Sequence, residues 1–315
     1  MASDQDASRL DDAARAGWLY FIAGNTQDEI ARKLNVSRQT AQRLVSLAVT
    51  EKLVTFRLQH PIAACMELAQ RLAERFGLTH CEVAPADVQA TSSVLGIAEL
   101  AAAFLESRLR NGQHMIVGLG TGRAMRAAVD QMPRMSCPNH QLVSLVGNIA
   151  PDGSATFFDV LSKLADLTQA RHYPMPLPVF CASEAERAQL LALEPVRKVH
   201  HLAEQADLLM VGLGQVSRSA PLHQDGFISS EELFLLMRHG AVGEIASWCF
   251  DADGQVLDIA TNRRTTSVPL RHKPPRPVVA VAMGEEKVKA IRAALAGELI
   301  TGLITNETTA AALLA

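Results

Sequence analysis

Three observations predict a two-part α/β chain, with a small helical head ahead of a larger body built on a parallel sheet. Residues 26–50, TQDEIARKLNVSRQTAQRLVSLAVT, carry two capped amphipathic helices joined by a tight turn. Beyond residue 76, short continuous apolar runs alternate with helical patterns, and several of the runs end in glycine. Such runs suit strands buried on both faces, as in a parallel sheet covered by helices. Finally, 315 residues at 48% hydrophobic content are enough for two domains and a sizeable core. The expected domains are 1–58 and 59–315.

Residues 1–10 are polar and expected to be disordered. A first helix over 11–23 offers Trp18, Leu19, Phe21 and Ile22 as a cover for the next two, and Gly24-Asn25 ends it. Thr26 with Glu29 three places on has capping-box spacing. Ile30, Ala31 and Leu34 form one apolar face, and Asn35-Val36 makes the turn. Ser37 caps the following helix, with Ala41, Leu44, Val45 and Ala48 inward. Arg38, Gln39, Thr40, Gln42 and Arg43 are left outward. This is a helix-turn-helix pattern. Short polar and guanidinium side chains near the start of its second helix suit contact with base edges in a major groove. The candidate DNA-contacting set is Gln27, Ser37, Arg38, Gln39, Thr40, Gln42 and Arg43. A short extended segment over 53–58 follows, and His60-Pro61 breaks the chain.

Charge and composition bound the partners. The net charge of −3 argues against a chain coated in nucleic acid. Between 26 and 57, however, Arg32, Lys33, Arg38, Arg43, Lys52 and Arg57 outnumber Asp28, Glu29 and Glu51. That local excess suits a modest phosphate footprint, multiplied by oligomerisation. No apolar run reaches the length of a membrane span, and the acidic start MASDQDASRLDD is not a secretory signal. Five scattered cysteines without CxxC spacing suggest neither a disulfide framework nor a metal site. The expectation is a cytoplasmic protein without cofactor, metal or membrane partner.

In the body, a helix over 62–76 leads to Gly77. Strands are expected at 81–84, 114–117, 141–146, 208–211, 278–282 and 302–305. Helices are expected at 91–110, 123–132, 156–170, 183–193 and 285–296, with a turn around His200-His201. Ligands of such sheets sit at the carboxyl ends of the strands. There Gly118-Leu119-Gly120-Thr121-Gly122 leads into a helix opened by Arg123. Glycines bring amide N–H groups close to a ligand, and the helix start favours an anion. A phosphate or a polyhydroxylated carbon chain fits that cradle; a tight turn without a ligand is the alternative. Neither GxGxxG nor the P-loop lysine is present. Lys287, in the first turn of a later helix, can face an anionic ligand, and Glu244 and Asp251 can accept from sugar hydroxyls. The ten histidines have no HxxxH or HExxH spacing, so no catalytic residue is assigned.

These segments together resemble the SorC/DeoR-type family of sugar-responsive transcriptional regulators. The resemblance is carried by AGNTQDEIARKLNVSRQTAQRLV, GLGTGRAM, VGLGQV, GEIASWCFDADG and MGEEKVKAIRAAL with GLITNETTAAALL. It implies an N-terminal DNA-binding domain and a C-terminal sugar-binding domain. The latter is similar to the ribose-phosphate isomerase and glucosamine-phosphate deaminase folds but acts as a sensor. It further implies a homo-oligomer, usually a tetramer, with double-stranded operator DNA and a sugar, sugar phosphate or polyol as partners. Carried over by position, Gly120, Thr121 and Gly122 are the effector cradle, with Gly118 and Arg123 beside them. Glu244 is a hydroxyl acceptor, Lys287 the basic group, and Asn148, after the next strand, a further candidate. Arg123 is the only cation in the glycine loop, which leaves phosphorylation of the ligand open. The alternative function is a sugar-phosphate isomerase or deaminase with an appended helical domain.

Overall fold

The computed structural model describes residues 4–51, 53–54, 62–86, 94–155 and 159–315. The chain divides into two compact units, Met1–His60 and Pro61–Ala315. The extended segment expected over 53–58, and the starts of the helices expected at 91 and 156, fall wholly or partly outside the described residues.

The first unit holds α1 (Asp4–Phe21), α2 (Gln27–Leu34) and α3 (Arg38–Thr50). Helix α1 begins well inside the stretch expected to be disordered. Ala13, Ala14 and Ala16 add high helix propensity along it. The core comprises Ala16, Ile30, Ala31, Ala41 and Val45, with Leu19, Phe21, Leu34 and Leu44 against it. Trp18 and Ile22 do not join this cover: they are 53% and 68% exposed. Four residues apart, they share a helix face different from that of Ala16 and Leu19. Gly17 permits a close crossing of α1 on α3. A Cβ there would lie 2.8 Å from Ala48 Cβ and 2.9 Å from Val54 Cγ2.

The second unit is built on a seven-stranded sheet. Its strands are β1 (His80–Ala84), β2 (Ile116–Leu119), β3 (Gln141–Ser144), β4 (Arg171–Tyr173), β5 (Leu208–Gly212), β9 (Val278–Val281) and β10 (Gly302–Asn306). The order is β1-β10-β9-β5-β2-β3-β4, and every pairing is parallel. Alternation along β9 shows the double burial. Val278 and Ala280 belong to one apolar cluster, Val279 and Val281 to another. A small antiparallel sheet, unforeseen in the sequence, pairs β6 (Gly214–Gln215), β7 (Gly243–Ile245) and β8 (Trp248–Phe250).

Two further differences from expectation have local causes. The turn expected around His200-His201 lies inside the helix Glu194–Glu204. Pro195 suits its first turn, and Val196, Val199, Leu202 and Ala203 recur at helical spacing. Strand β2 runs two residues beyond 117, because Gly118 and Leu119 stay in register with Val143 and Ser144. Among the described residues, no helix is long and apolar enough to cross a membrane.

Replacing Gly17 with valine drives a branched side chain into the α1–α3 contact. The expected result is a loss of about 1–3 kcal/mol from the first unit, measured as a lower denaturation midpoint of the helical signal in a fragment of residues 1–60 if that fragment folds, or of the full chain otherwise. An unchanged midpoint would contradict this packing.

Candidate functional site

The helical pair in the first unit is fixed by its caps. The Thr26 N–H donates to Glu29 Oε2 at 2.8 Å, and the Glu29 N–H returns to Thr26 Oγ1 at 3.4 Å. The first of these bonds, with the Thr26 hydroxyl, holds the Glu29 carboxyl below its usual range. Asn35 adopts a left-handed conformation, φ 54°, to close α2. Ser37 Oγ accepts the Thr40 N–H at 3.1 Å to open α3. Ala41, Val45 and Ala48 are buried, which leaves Arg38, Gln39, Thr40, Gln42 and Arg43 exposed on the far side. Gln27 is half-buried at the start of α2. Arg38 Nε is 3.4 Å from Asp28 Oδ1, but both side chains are mostly exposed. An exposed pair of this kind contributes little and exchanges readily for a phosphate. Ser37 has its oxygen committed to the cap and to Thr40 Oγ1, at 2.8 Å.

In the second unit, sheet topology dictates where a ligand fits. Strand β3 lies on one side of β2 and β5 on the other, so the chain reverses its direction of winding at β2 and β5. Loops leaving such a pair diverge and open a crevice at the strand ends. A cavity of about 370 Å³ lies there, lined by Gly120–Ala124 after β2 and Gly212–Gln215 after β5. Val281, Met283, Gly284, Glu286 and Lys287 after β9 complete that side. The small sheet contributes Glu244 from β7, with Ala246 and Ser247 from the β7–β8 turn. Both turn residues have positive φ, 50° and 68°, an uncommon conformation without glycine. Pro221, Leu222, Asp225 and Phe227 add a further wall.

The glycines differ in what each makes possible. A Cβ on Gly212 would lie 2.8 Å from the Thr121 carbonyl oxygen, so the turn after β2 touches the end of β5 backbone to backbone. Gly122 has φ 114° with open space around it, so there the need is conformational. Gly214 pairs with Glu244 across β6 and β7, and a Cβ on it would lie 2.3 Å from Glu244 Oε1. Its missing side chain is what leaves room for that carboxylate.

The charged groups of the cavity are held in place. Glu244 Oε2 accepts the Ser247 N–H at 2.9 Å. Burial nevertheless pushes the Glu244 carboxyl above its usual range, an effect that this hydrogen bond and the nearby Lys287 charge oppose. Lys287 Nζ donates to the Leu213 carbonyl at 2.9 Å. Burial pulls the Lys287 amine below its usual range, against the attraction of Glu244. Opposite displacements of an acid and a base in one cleft are common at functional sites. Arg123 Nη2 lies 3.9 Å from Asp225 Oδ1, with the guanidinium largely exposed.

Six of the sequence-predicted effector residues line this cavity together: Gly120, Thr121, Gly122, Arg123, Glu244 and Lys287. Three do not. Gly118 lies within β2, where a Cβ would strike the Leu209 side chain of neighbouring β5, so it makes room for packing on the sheet face. Asn148 lines a separate cavity of about 80 Å³ on the other side of the Gly120-Thr121 turn, with Ser144 and Ser162. Asp251 accepts the N–H groups of Asp253 and Gln255, a turn closed on itself outside the main cavity. Sequence reasoning missed Gln215, Ser219, Asp225 and Glu286. Gln215 follows the β5 glycines directly and Glu286 adjoins Lys287, so both stood beside residues already chosen. Asp225 precedes a glycine and carries only turn chemistry in the sequence.

Comparison with known proteins places this architecture. Residues 60–315 match the Sugar-bind family of sugar-binding domains. The erythritol catabolism regulatory protein EryD of Brucella abortus is 36% identical over 302 residues, covering 96% of each chain. The chain belongs to the SorC/DeoR-type family of sugar-binding transcriptional regulators. The transcriptional regulator LsrR of Klebsiella pneumoniae is 33% identical over 318 residues, covering 96% of this chain and 92% of LsrR. The crystal structure of the full-length sorbitol operon regulator SorC from Klebsiella pneumoniae aligns with a TM-score of 0.72 at 25% identity, over 97% of this chain and 99% of that one. These relatives are regulators, so the isomerase or deaminase alternative falls away and the family member is a transcriptional regulator, not an enzyme.

The fit of Glu244 against Gly214 is open to a direct check. Gly214→Ala is expected to destabilise the second unit by about 1–3 kcal/mol, and Glu244→Ala in the same chain to recover part of that loss. Denaturant unfolding of the two single variants and the double variant gives the coupling. Strict additivity would show that the carboxylate does not occupy that space.

Proposed function

We propose that this family member controls a carbohydrate or polyol catabolic operon. In this reading α3 enters the major groove of double-stranded operator DNA, and the strand-end cavity takes a sugar, sugar phosphate or polyol as effector. The domains are 1–58 for DNA and 59–315 for effector and oligomerisation. The cavity at the β2–β5 reversal carries the proposal, because it gathers backbone amides, a hydroxyl, two cations and carboxylates around one crevice. The relatives' names support the ligand class: erythritol catabolism for EryD and the sorbitol operon for SorC.

Each role follows from the side chain. Arg38 and Arg43 supply phosphate or guanine contacts, and Gln39 and Gln42 suit adenine edges. Gln27, at the start of α2, and Thr40 suit backbone phosphates, and Ser37 orients the helix start. Gly120, Gly122 and Gly284 bring backbone close to the ligand, with Thr121 and Lys287 as donors and Glu244 as acceptor. The few cations of one head give a shallow grip, and a homo-oligomer, tetrameric as is usual in the family, joins several heads on one operator. Effector then shifts the population between subunit arrangements that space the heads differently. A cytoplasmic location suits contact with operator DNA.

Arg38→Ala and Arg43→Ala are each expected to weaken binding to DNA upstream of the protein's own gene by about 1–3 kcal/mol, with effector affinity unchanged. Lys287→Met is expected to do the reverse. Fluorescence anisotropy for DNA and calorimetry for effector measure both. Full DNA affinity in both arginine variants would contradict the assignment of α3.

A further inference from the structure

The charged side chains of the cavity bear on whether its ligand carries a phosphate. Three carboxylates, Asp225, Glu244 and Glu286, line it against two cations, Arg123 and Lys287. Both cations already face carboxylates. Arg123 is 3.9 Å from Asp225, and Lys287 lies within electrostatic reach of Glu244 and Glu286. Lys287 also gives one proton to the Leu213 carbonyl. The cavity wall therefore carries an excess of negative charge before any ligand enters.

Two of those carboxylates, Glu244 and Glu286, are held in the wall by hydrogen bonds. Glu286 Oε2 accepts from Gln215 Nε2 and from Ser219 Oγ, each at 3.0 Å. That bond also orients the Gln215 amide, which is 8% exposed, with its nitrogen toward Glu286. Gln215 Oε1 is left as a buried acceptor with no donor among the described residues. The wall is thus rich in acceptors, and its Ser219 hydroxyl proton is already spent on Glu286.

A phosphate brings charge of the same sign and oxygens that only accept. A sugar hydroxyl brings a proton to donate and no charge. One feature favours an anion: the helix start at Gly122-Arg123 and its amides. That preference is modest, and smaller still at an exposed helix end. Like charges brought together in one crevice repel more strongly than that. The carboxylates outweigh the helix.

Resting on the reading of this cavity as the effector site, we infer that it is built for an uncharged polyhydroxylated ligand, a sugar alcohol or free sugar, and disfavours the phosphorylated form. Asp225, Glu244 and Glu286 accept from the ligand's hydroxyls, while Lys287 and the glycine-loop amides donate to its oxygens.

Calorimetry of the full chain with erythritol, xylitol, sorbitol, ribose and glucose, each beside its monophosphate, tests this. The expected result is that a neutral compound binds and its monophosphate binds roughly ten-fold more weakly or worse. Glu286→Gln and Asp225→Asn, which remove charge but keep an oxygen, are expected to narrow that ratio. A monophosphate binding as tightly as its parent, or a ratio that both variants leave unchanged, would overturn the inference while leaving the cavity as the effector site. Binding by no compound of either kind would remove the effector reading of the cavity, and the inference with it.

Discussion

The larger unit depends on how closely two glycine turns approach at the boundary between β2 and β5. A side chain on Gly212 would strike the Thr121 carbonyl, and one on Gly120 would come within 3.2 Å of the Val211 Cα. With backbone against backbone, the two strands stay in one sheet while their loops part above it. The crevice left between them is lined by main chain on one side and by the small β6–β8 sheet on the other. Gly214 continues the same logic, because its missing side chain is the room that Glu244 fills.

Within that crevice the chain keeps an acid and a base that burial displaces toward neutrality, each holding the other back. A well-packed apolar filling of the same volume is often as stable as a set of desolvated charged groups, or more so. Keeping Glu244 and Lys287 there instead, beside a turn with two non-glycine residues at positive φ, concentrates strain and desolvation in one place. Such concentrations belong to ligand sites more often than to scaffolding. The first unit shows the opposite economy: the caps that open α2 and α3 are satisfied, its small core is apolar, and the polar side chains of α3 lie on its outer face.

Much of this was legible because the signals were local. The capping box at Thr26, the turn at Asn35 and the cap at Ser37 each need only three or four residues, and all three hold. The main strands were visible as continuous apolar runs, since parallel strands are buried on both faces. Three-dimensional proximity was harder to see. Gly118 and Gly120 look alike in sequence, yet one packs against Leu209 and the other lines the cavity. Asp251 looked as suitable as Glu244 but its Oδ1 accepts two N–H groups of its own turn, outside the cavity. Asp225 and Ser219 reach the cavity from a segment with no ligand signature, and β6–β8 are too short for periodicity to reveal. Trp18 and Ile22 were misplaced because apolar character alone does not say which face of a helix is covered.

In the proposed reading, one chain links occupancy of this crevice to its hold on DNA. Linkage makes the claim reciprocal: a ligand that changes DNA affinity must have its own affinity changed by DNA in the same ratio. The most direct measurement is the affinity of the full chain for erythritol or sorbitol, whichever binds, with and without saturating DNA from upstream of its gene. Two different values are expected, in the ratio found when the polyol is added to a DNA titration. Equal values, with both ligands bound, would contradict it.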